Sequence, residues 1–129
     1  MQDLRIAVIG GAGKIGGALI DGWIAAGLVP REAVMGTGRH DTSLASLRRR
    51  GIPASTENAR AAADAGVVVL SVHPDETAEV LEDLRPVWRD DHLLVSIVTG
   101  VRTAALEAMV GRPLPVIRAN PNIAVLAGA

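Results

Sequence analysis

The sequence predicts an α/β protein whose centre is a doubly wound parallel sheet. Three observations predict it. Short apolar runs alternate along the chain with helix-period segments, the order that builds parallel strands joined by helical crossovers. The runs are nearly continuous, as in Ile6-Ala7-Val8-Ile9 and Val67-Val68-Val69-Leu70, which suits strands covered on both faces. The first run stops at Gly10-Gly11-Ala12-Gly13-Lys14-Ile15-Gly16, where Gly11, Gly13 and Gly16 stand in the spacing G-x-G-x-x-G between a strand and a helix. That spacing, with right-handed crossovers, favours the Rossmann strand order 3-2-1-4-5-6.

The elements follow in order. Residues 4–9 read as the first strand and residues 14–26 as the first helix, with Ile15, Leu19 and Trp23 as an inward stripe beside Ala18 and Ala26, and Gly27 as its stop. Gly16, Gly17 and Gly22 each cost about 1 kcal/mol against alanine inside a helix, so together they predict a closely approaching neighbour. Residues 33–36 form the second strand after a turn at Pro30. Asp41 or Thr42 caps a helix through Arg50, with Leu44 and Leu47 inward and Gly51 as stop. Residues 52–54 are a short third strand, and Ser55 or Thr56 caps an alanine-rich helix that ends near Gly66. Residues 67–72 are the fourth strand. Pro74 opens the next helix, with Asp75 and Glu76 in a first turn that suits carboxylates, Val80, Leu81 and Leu84 as its buried face, and Pro86 at its end. Residues 93–98 are the fifth strand, Thr103 caps a helix through Val110 with Leu106 and Met109 inward and Gly111 as stop, and residues 114–119 are the sixth.

One domain therefore spans residues 1–119. Asn120-Pro121-Asn122 reads as a turn, and residues 123–129 form an apolar tail. Exposed, such a tail is adhesive. It is expected to lead toward a further domain or to pack on another copy of the chain.

Composition excludes several classes. The 129 residues carry a net charge of -1, with no Phe, no Tyr and two Trp, so neither a basic surface nor stacking platforms for nucleic acid are present. A chain of this length buries about two thirds of its unfolded surface, so an aliphatic core is feasible. There is no cysteine, hence no disulfide framework and no thiolate chemistry. No apolar run reaches the ~20 residues of a membrane span, and Met1-Gln2-Asp3 lacks a basic signal-peptide region. The expectation is a soluble cytoplasmic protein that binds neither nucleic acid nor membrane. No His, Asp, Glu or Cys cluster has metal-ligand spacing, and neither Ser71 nor Ser96 sits in a nucleophile elbow.

The glycine stretch points to a dinucleotide. Gly11 is expected to allow the tight turn, Gly13 the approach of a pyrophosphate, and Gly16 the packing of helix on strand. Free N–H groups at the helix start would receive the phosphates. The end of the second strand then discriminates between NAD and NADP. A ribose-binding acid is expected roughly twenty residues past the glycines. Gly36-Thr37-Gly38-Arg39-His40 stands there instead, and a guanidinium can grip a 2′-phosphate bidentately. Thr37, Gly38, Arg39 and His40 thus form a candidate 2′-phosphate site, which implies NADPH in preference to NADH. The alternatives are a solvated arginine on a turn, with Asp41 serving a ribose. Ser71-Val72-His73-Pro74 and Ile97-Val98-Thr99-Gly100 lie at the carboxyl ends of strands four and five, where the ribose and nicotinamide belong. His73 is the candidate proton donor or ribose partner, against a loop histidine without chemistry. His92, after Asp90-Asp91, reads as a solvated turn residue, and Arg48-Arg49-Arg50 as a solvated helix end.

Beyond the fingerprint the motifs become specific. Gly16-Gly17-Ala18-Leu19-Ile20 with Ala26-Gly27-Leu28-Val29-Pro30, Ser71-Val72-His73-Pro74, Val80-Leu81 with Leu84-Arg85-Pro86, Val95-Ser96-Ile97 with Gly100-Val101, and Arg118 with Pro121-Asn122 follow one another in order. Together they are similar to Δ1-pyrroline-5-carboxylate reductases over essentially the whole chain. The resemblance implies an NAD(P)H-dependent reductase that turns pyrroline-5-carboxylate into proline, and a small cyclic imine as substrate. It implies a Rossmann domain followed by a helical domain, absent from this sequence, that makes the homodimer and completes the substrate pocket. By position, Gly11, Ala12, Gly13, Lys14 and Ile15 would bind the pyrophosphate and Gly38 and Arg39 the 2′-phosphate end. Asn58 would contact the adenosine side. Ser71, Val72, His73 and Pro74, with Ile97, Val98 and Thr99, would hold the nicotinamide riboside. The family usually has Lys at His73, and Met-Pro-Asn-Thr-Pro where residues 120–124 read Asn-Pro-Asn-Ile-Ala. These departures bear on the substrate more than on the cofactor and leave another cyclic imine open. Two other readings stand beside this one: a stand-alone nucleotide-binding module without catalysis, and a domain of a β-hydroxyacid dehydrogenase or imine reductase.

Overall fold

The apolar runs become strands because their successive side chains are buried on opposite faces. In the computed structural model, which describes residues 4–120, Ile6 and Val8 of β1 (Ile6–Ile9) join one core and Ala7 and Ile9 the other. The first core adds Ile20 from α1 (Lys14–Ala25), Val34 from β2 (Val34–Thr37) and Leu47 from α2 (Ala45–Arg49). The second lies beneath α3 (Asn58–Ala63), α4 (Thr77–Leu84) and α5 (Thr103–Val110), and gathers Ala61, Leu81, Leu84 and Leu106 against Val68 and Leu70 of β4 (Val67–Leu70) and Leu94 of β5 (Leu93–Ser96). With β3 (Ala54–Ser55) and β6 (Val116–Arg118), the six strands form one parallel sheet in the order β3-β2-β1-β4-β5-β6. The register places Val8 beside Gly36 and Val69, and Leu70 beside Ser96. The fold is the α/β Rossmann type that the alternation of apolar runs predicts.

Departures from the expected elements have physical causes. Leu4 and Arg5 precede β1, because pairing with both neighbouring strands starts at Ile6. The inward stripe of α1 is rotated by one residue: Gly16, Gly17 and Ile20 are buried, whereas Ile15 is 43% exposed. A Cβ at Gly16 would stand 2.9 Å from the Gly10 carbonyl oxygen and from Gly11 Cα. The glycine face must therefore turn inward, and this carries Ile15 outward. Of the three helix glycines only Gly16 meets such a wall, since a Cβ at Gly17 would make ordinary 3.5 Å contacts and one at Gly22 would meet nothing within 4 Å.

The helix starts also differ. Residues 41–44 and 74–76 form tight 3-10 turns ahead of α2 and α4, so His40 rather than Asp41 or Thr42 precedes the first, while Pro74 opens the second after His73, with Asp75 and Glu76 in that turn rather than in α4. Ser55 does serve the start of α3, its Oγ accepting from the Glu57 N–H at 2.9 Å, but Thr103 is not a cap; Arg102 precedes α5 without a side-chain bond. Pro86 lies within a further 3-10 turn, Arg85–Val87, after α4. β4 and β5 end at Leu70 and Ser96, which leaves Ser71, Val72, Ile97 and Val98 in loops beyond the sheet.

His92 is the clearest correction. It is 1% exposed, its Nδ1 accepts from the Arg89 N–H at 2.8 Å, and its Nε2 lies 2.9 Å from the Ala62 carbonyl. Those partners assign the proton to Nε2. Arg89 donates to the carbonyls of Ala63 at 2.6 Å and Ala65 at 3.0 Å, so both side chains satisfy the carbonyls at the end of α3. Trp88 stacks edge-on against the imidazole at 5.3 Å. The Asn120-Pro121-Asn122 turn, from Pro121 onward, and the apolar tail lie outside the described residues.

Candidate functional site

The glycine loop is shaped by Gly10 as much as by the fingerprint. Gly10 has φ +88°, and a Cβ there would fall 2.1 Å from the Ser71 carbonyl oxygen, so the turn next to β4 admits glycine alone. Gly11 instead lies against β2, where a Cβ would come within 3.0 Å of Gly36 Cα. Three N–H groups of the loop are already taken: Gly11 donates to the Val8 carbonyl, Ala12 to the Thr37 carbonyl and Gly13 to the Gly10 carbonyl, at 2.9–3.0 Å. Gly13 then precedes α1 as an extended residue with no side-chain cap. The N–H groups of Lys14, Ile15 and Gly16 have no backbone acceptor, and the positive end of a twelve-residue helix adds to their pull on an anion.

Thr37 holds this loop in place. Its hydroxyl is 1% exposed and accepts from the Gly10 N–H at 3.0 Å, while its carbonyl takes the Ala12 N–H. The loop, the end of β2, the start of α3 and the segment from Ser71 to Asp83 surround a cleft of 540 Å³. Arg39 reaches over it and pairs with Glu76 at 2.6 Å, the two side chains being 74% and 26% exposed. Gly38 packs so closely that a Cβ would lie 2.9 Å from Leu44 and Ser43 side-chain atoms and 3.0 Å from Ala12. A glycine-floored cleft beside the start of α1 fits a dinucleotide.

Comparison with known proteins agrees with this geometry. Residues 5–100 match the family model described as NADP oxidoreductase, coenzyme F420-dependent. The chain belongs to that family. Within it, the chain corresponds to the N-terminal NAD(P)-binding domain of pyrroline-5-carboxylate reductases. It is 39% identical over 127 residues to the pyrroline-5-carboxylate reductase of Pseudomonas aeruginosa, covering 98% of this chain and 46% of that one. It is also 39% identical to the Corynebacterium melassecola enzyme, over 95% of this chain and 46% of the other. The Coxiella burnetii enzyme superposes with a TM-score of 0.91 at 27% identity, over 98% of this chain and 47% of that one. The Plasmodium falciparum enzyme, solved with NADP bound, superposes at 0.81 with 26% identity, over 98% and 45%. The chain thus spans just under half the length of the relatives it matches. A Streptomyces aurantiacus imine reductase, at 21% identity and a TM-score of 0.72, shares the fold.

In this member of the family the structure divides the residues singled out from the sequence. Ala12, Gly13, Thr37, Gly38, Arg39, Asn58, Ser71, Val72 and His73 line the cleft together, and His40 lines it beside them. Gly11 is buried beneath the loop, and the exposed Lys14 and Ile15 lie outside the cleft lining. Pro74 is exposed outside the cleft. Ile97, Val98 and Thr99 follow β5 on the side beyond Ser71, with the Ile97 N–H on the Leu70 carbonyl at 3.0 Å and Val98 buried in the core. Thr37 is a clamp on the glycine loop in addition to a cleft residue. Asp41 pairs with Arg48 at 3.5 Å and does not line the cleft. The arginine run is partly tied, since Arg50 pairs with Asp21.

His73 is committed on one side. Its Nδ1 accepts from the Asp75 N–H at 3.2 Å, as cap of the 3-10 turn, and its side chain is 67% exposed. Sequence reasoning missed Gly10, Ser43, Thr56, Glu76, Glu79, Val80 and Asp83 as cleft residues. Gly10 had a signal, the glycine directly after an apolar run. The three acids had none, because helix periodicity places them in α4 or the turn before it without saying which loop they face.

Proposed function

We propose that this chain binds NADPH in the cleft and is the cofactor domain of a reductase acting on a cyclic imine such as pyrroline-5-carboxylate. One observation carries the reading: Gly13, which leads into α1, lines the same cleft as Arg39, which stands where an acid is expected after β2. The pyrophosphate would take the N–H groups of Lys14, Ile15 and Gly16, Arg39 would take the 2′-phosphate, and Asn58 the adenosine side. Ser71, Val72 and His73 would border the ribose, with Ile97, Val98 and Thr99 beyond them toward the nicotinamide. The dinucleotide supplies the hydride; these residues only position it and shut out water. Reduction of the imine also needs a proton on nitrogen, and among the described residues no side chain is placed to give it. His73 is the weak candidate, with Nδ1 in use. We therefore propose that the proton donor and the rest of the imine pocket come from residues matching the other half of the relatives, and that the homodimer forms there or through the apolar tail.

The identity to pyrroline-5-carboxylate reductases along nearly the whole chain supports imine reduction over hydride exchange with coenzyme F420. Calorimetric titration of the 129-residue chain tests the reading. NADPH is expected to bind more tightly than NADH, and added pyrroline-5-carboxylate to be consumed at little above background. Failure to bind either dinucleotide contradicts it.

A further inference from the structure

The charges around the cleft do not all favour an NADPH 2′-phosphate. Arg39 is bonded to Glu76, and Glu79 and Asp83 continue the same wall from α4. Glu76 is anchored from its own side: its Oε1 accepts from the His73 N–H at 3.2 Å while its Oε2 holds the arginine. Arg39 is anchored by nothing else among the described residues and is three-quarters exposed. The carboxylate is thus the fixed half of the pair and the guanidinium the movable half. Together they make a strap from the end of β2 to the turn before α4, across the border where the adenosine end would enter.

We propose that Glu76 is a specificity-determining residue that sets how strongly the chain prefers a phosphorylated over an unphosphorylated ribose. The proposal rests on the NADPH reading above. A 2′-phosphate carries close to two negative charges at neutral pH. To use Arg39 it must draw the guanidinium away from Glu76 and then sit beside a carboxylate that cannot retreat, because the His73 N–H holds it. An unphosphorylated ribose faces no such repulsion, and its hydroxyls can donate to the same carboxylate. Glu76 therefore lowers affinity for NADPH and sustains affinity for NADH, which narrows a preference that Arg39 alone would make wide.

Glu76→Gln tests this, since the amide oxygen can still accept from the His73 N–H. NADPH affinity is expected to rise about three- to ten-fold, the scale of a partly exposed ion pair plus a relieved like-charge contact. NADH affinity is expected to stay level or fall, and the thermal midpoint to remain unchanged. In an Arg39→Ala background the same substitution is expected to raise NADPH affinity by less than about two-fold, because the pair is already broken. If the wild-type chain binds both dinucleotides and Glu76→Gln leaves their affinity ratio unchanged, this inference fails while the NADPH reading stands. If the wild-type chain binds neither, both fall.

Discussion

Arg39 and Gly13 are single residues with separable jobs. In the proposed complex the guanidinium of Arg39 would touch only the part of NADPH that NADH lacks, so Arg39→Ala is expected to weaken NADPH by about ten- to a hundred-fold, as lost charge-assisted hydrogen bonds do, and NADH by less than about three-fold. Paired titrations check this, and equal losses would remove Arg39 from the phosphate site. These residues were legible because their chemistry is local. Glycines in fingerprint spacing mark a close backbone turn, and the residue after the second strand falls on the same cleft border, as Gly13 and Arg39 do. Glu76 was not legible, because its partner comes from the end of another strand. His92 was misread for the same reason: Asp90-Asp91-His92 looks like a solvated turn, and only the fold brings the end of α3 over the imidazole.

Two elements carry predictions of their own. The β2 end supports the glycine loop through the Thr37 hydroxyl. Thr37→Val keeps the shape but leaves the Gly10 N–H without an acceptor, which costs about 1–3 kcal/mol. Because the loop would serve the pyrophosphate in the proposed complex, NADPH and NADH are expected to weaken by the same factor, in contrast to Arg39→Ala. The turn between α4 and β5 supports α3 through Arg89 and His92. His92→Ala leaves a cavity beside Trp88 and takes one donor from the Ala62 carbonyl, which keeps its bond from the Ala65 N–H, with an expected loss of about 2–4 kcal/mol in denaturant unfolding. A loss below about 0.5 kcal/mol would mean the clasp is ornamental. At this scale the sequence spoke clearly about strands and less so about helix starts. Apolar runs covered on both faces have one reading, whereas the 3-10 turns at residues 41–44 and 74–76 depend on capping bonds from His40, Ser43, His73 and Glu76.

Across the whole molecule, the strand order puts β1 at the centre with β2 and β4 on either side, and the cleft opens where the chain winds away from it in both directions. The same topology explains the one-residue rotation of α1, since a helix that must approach the loop at Gly16 cannot also bury Ile15. The residues around the cleft thus come from both sides of β1, while Ile97, Val98 and Thr99 follow β5 outside the cleft lining. The central claim is that backbone N–H groups at the start of α1 hold a diphosphate because Gly13 leaves the way open. Gly13 is extended rather than left-handed, so Gly13→Val is expected to fold. Isothermal titration of NADPH onto wild type and Gly13→Val tests the claim most directly. The account predicts binding to the wild type and at least about a hundred-fold weaker binding to the variant, with both chains folded. Equal affinity in two folded chains would contradict it.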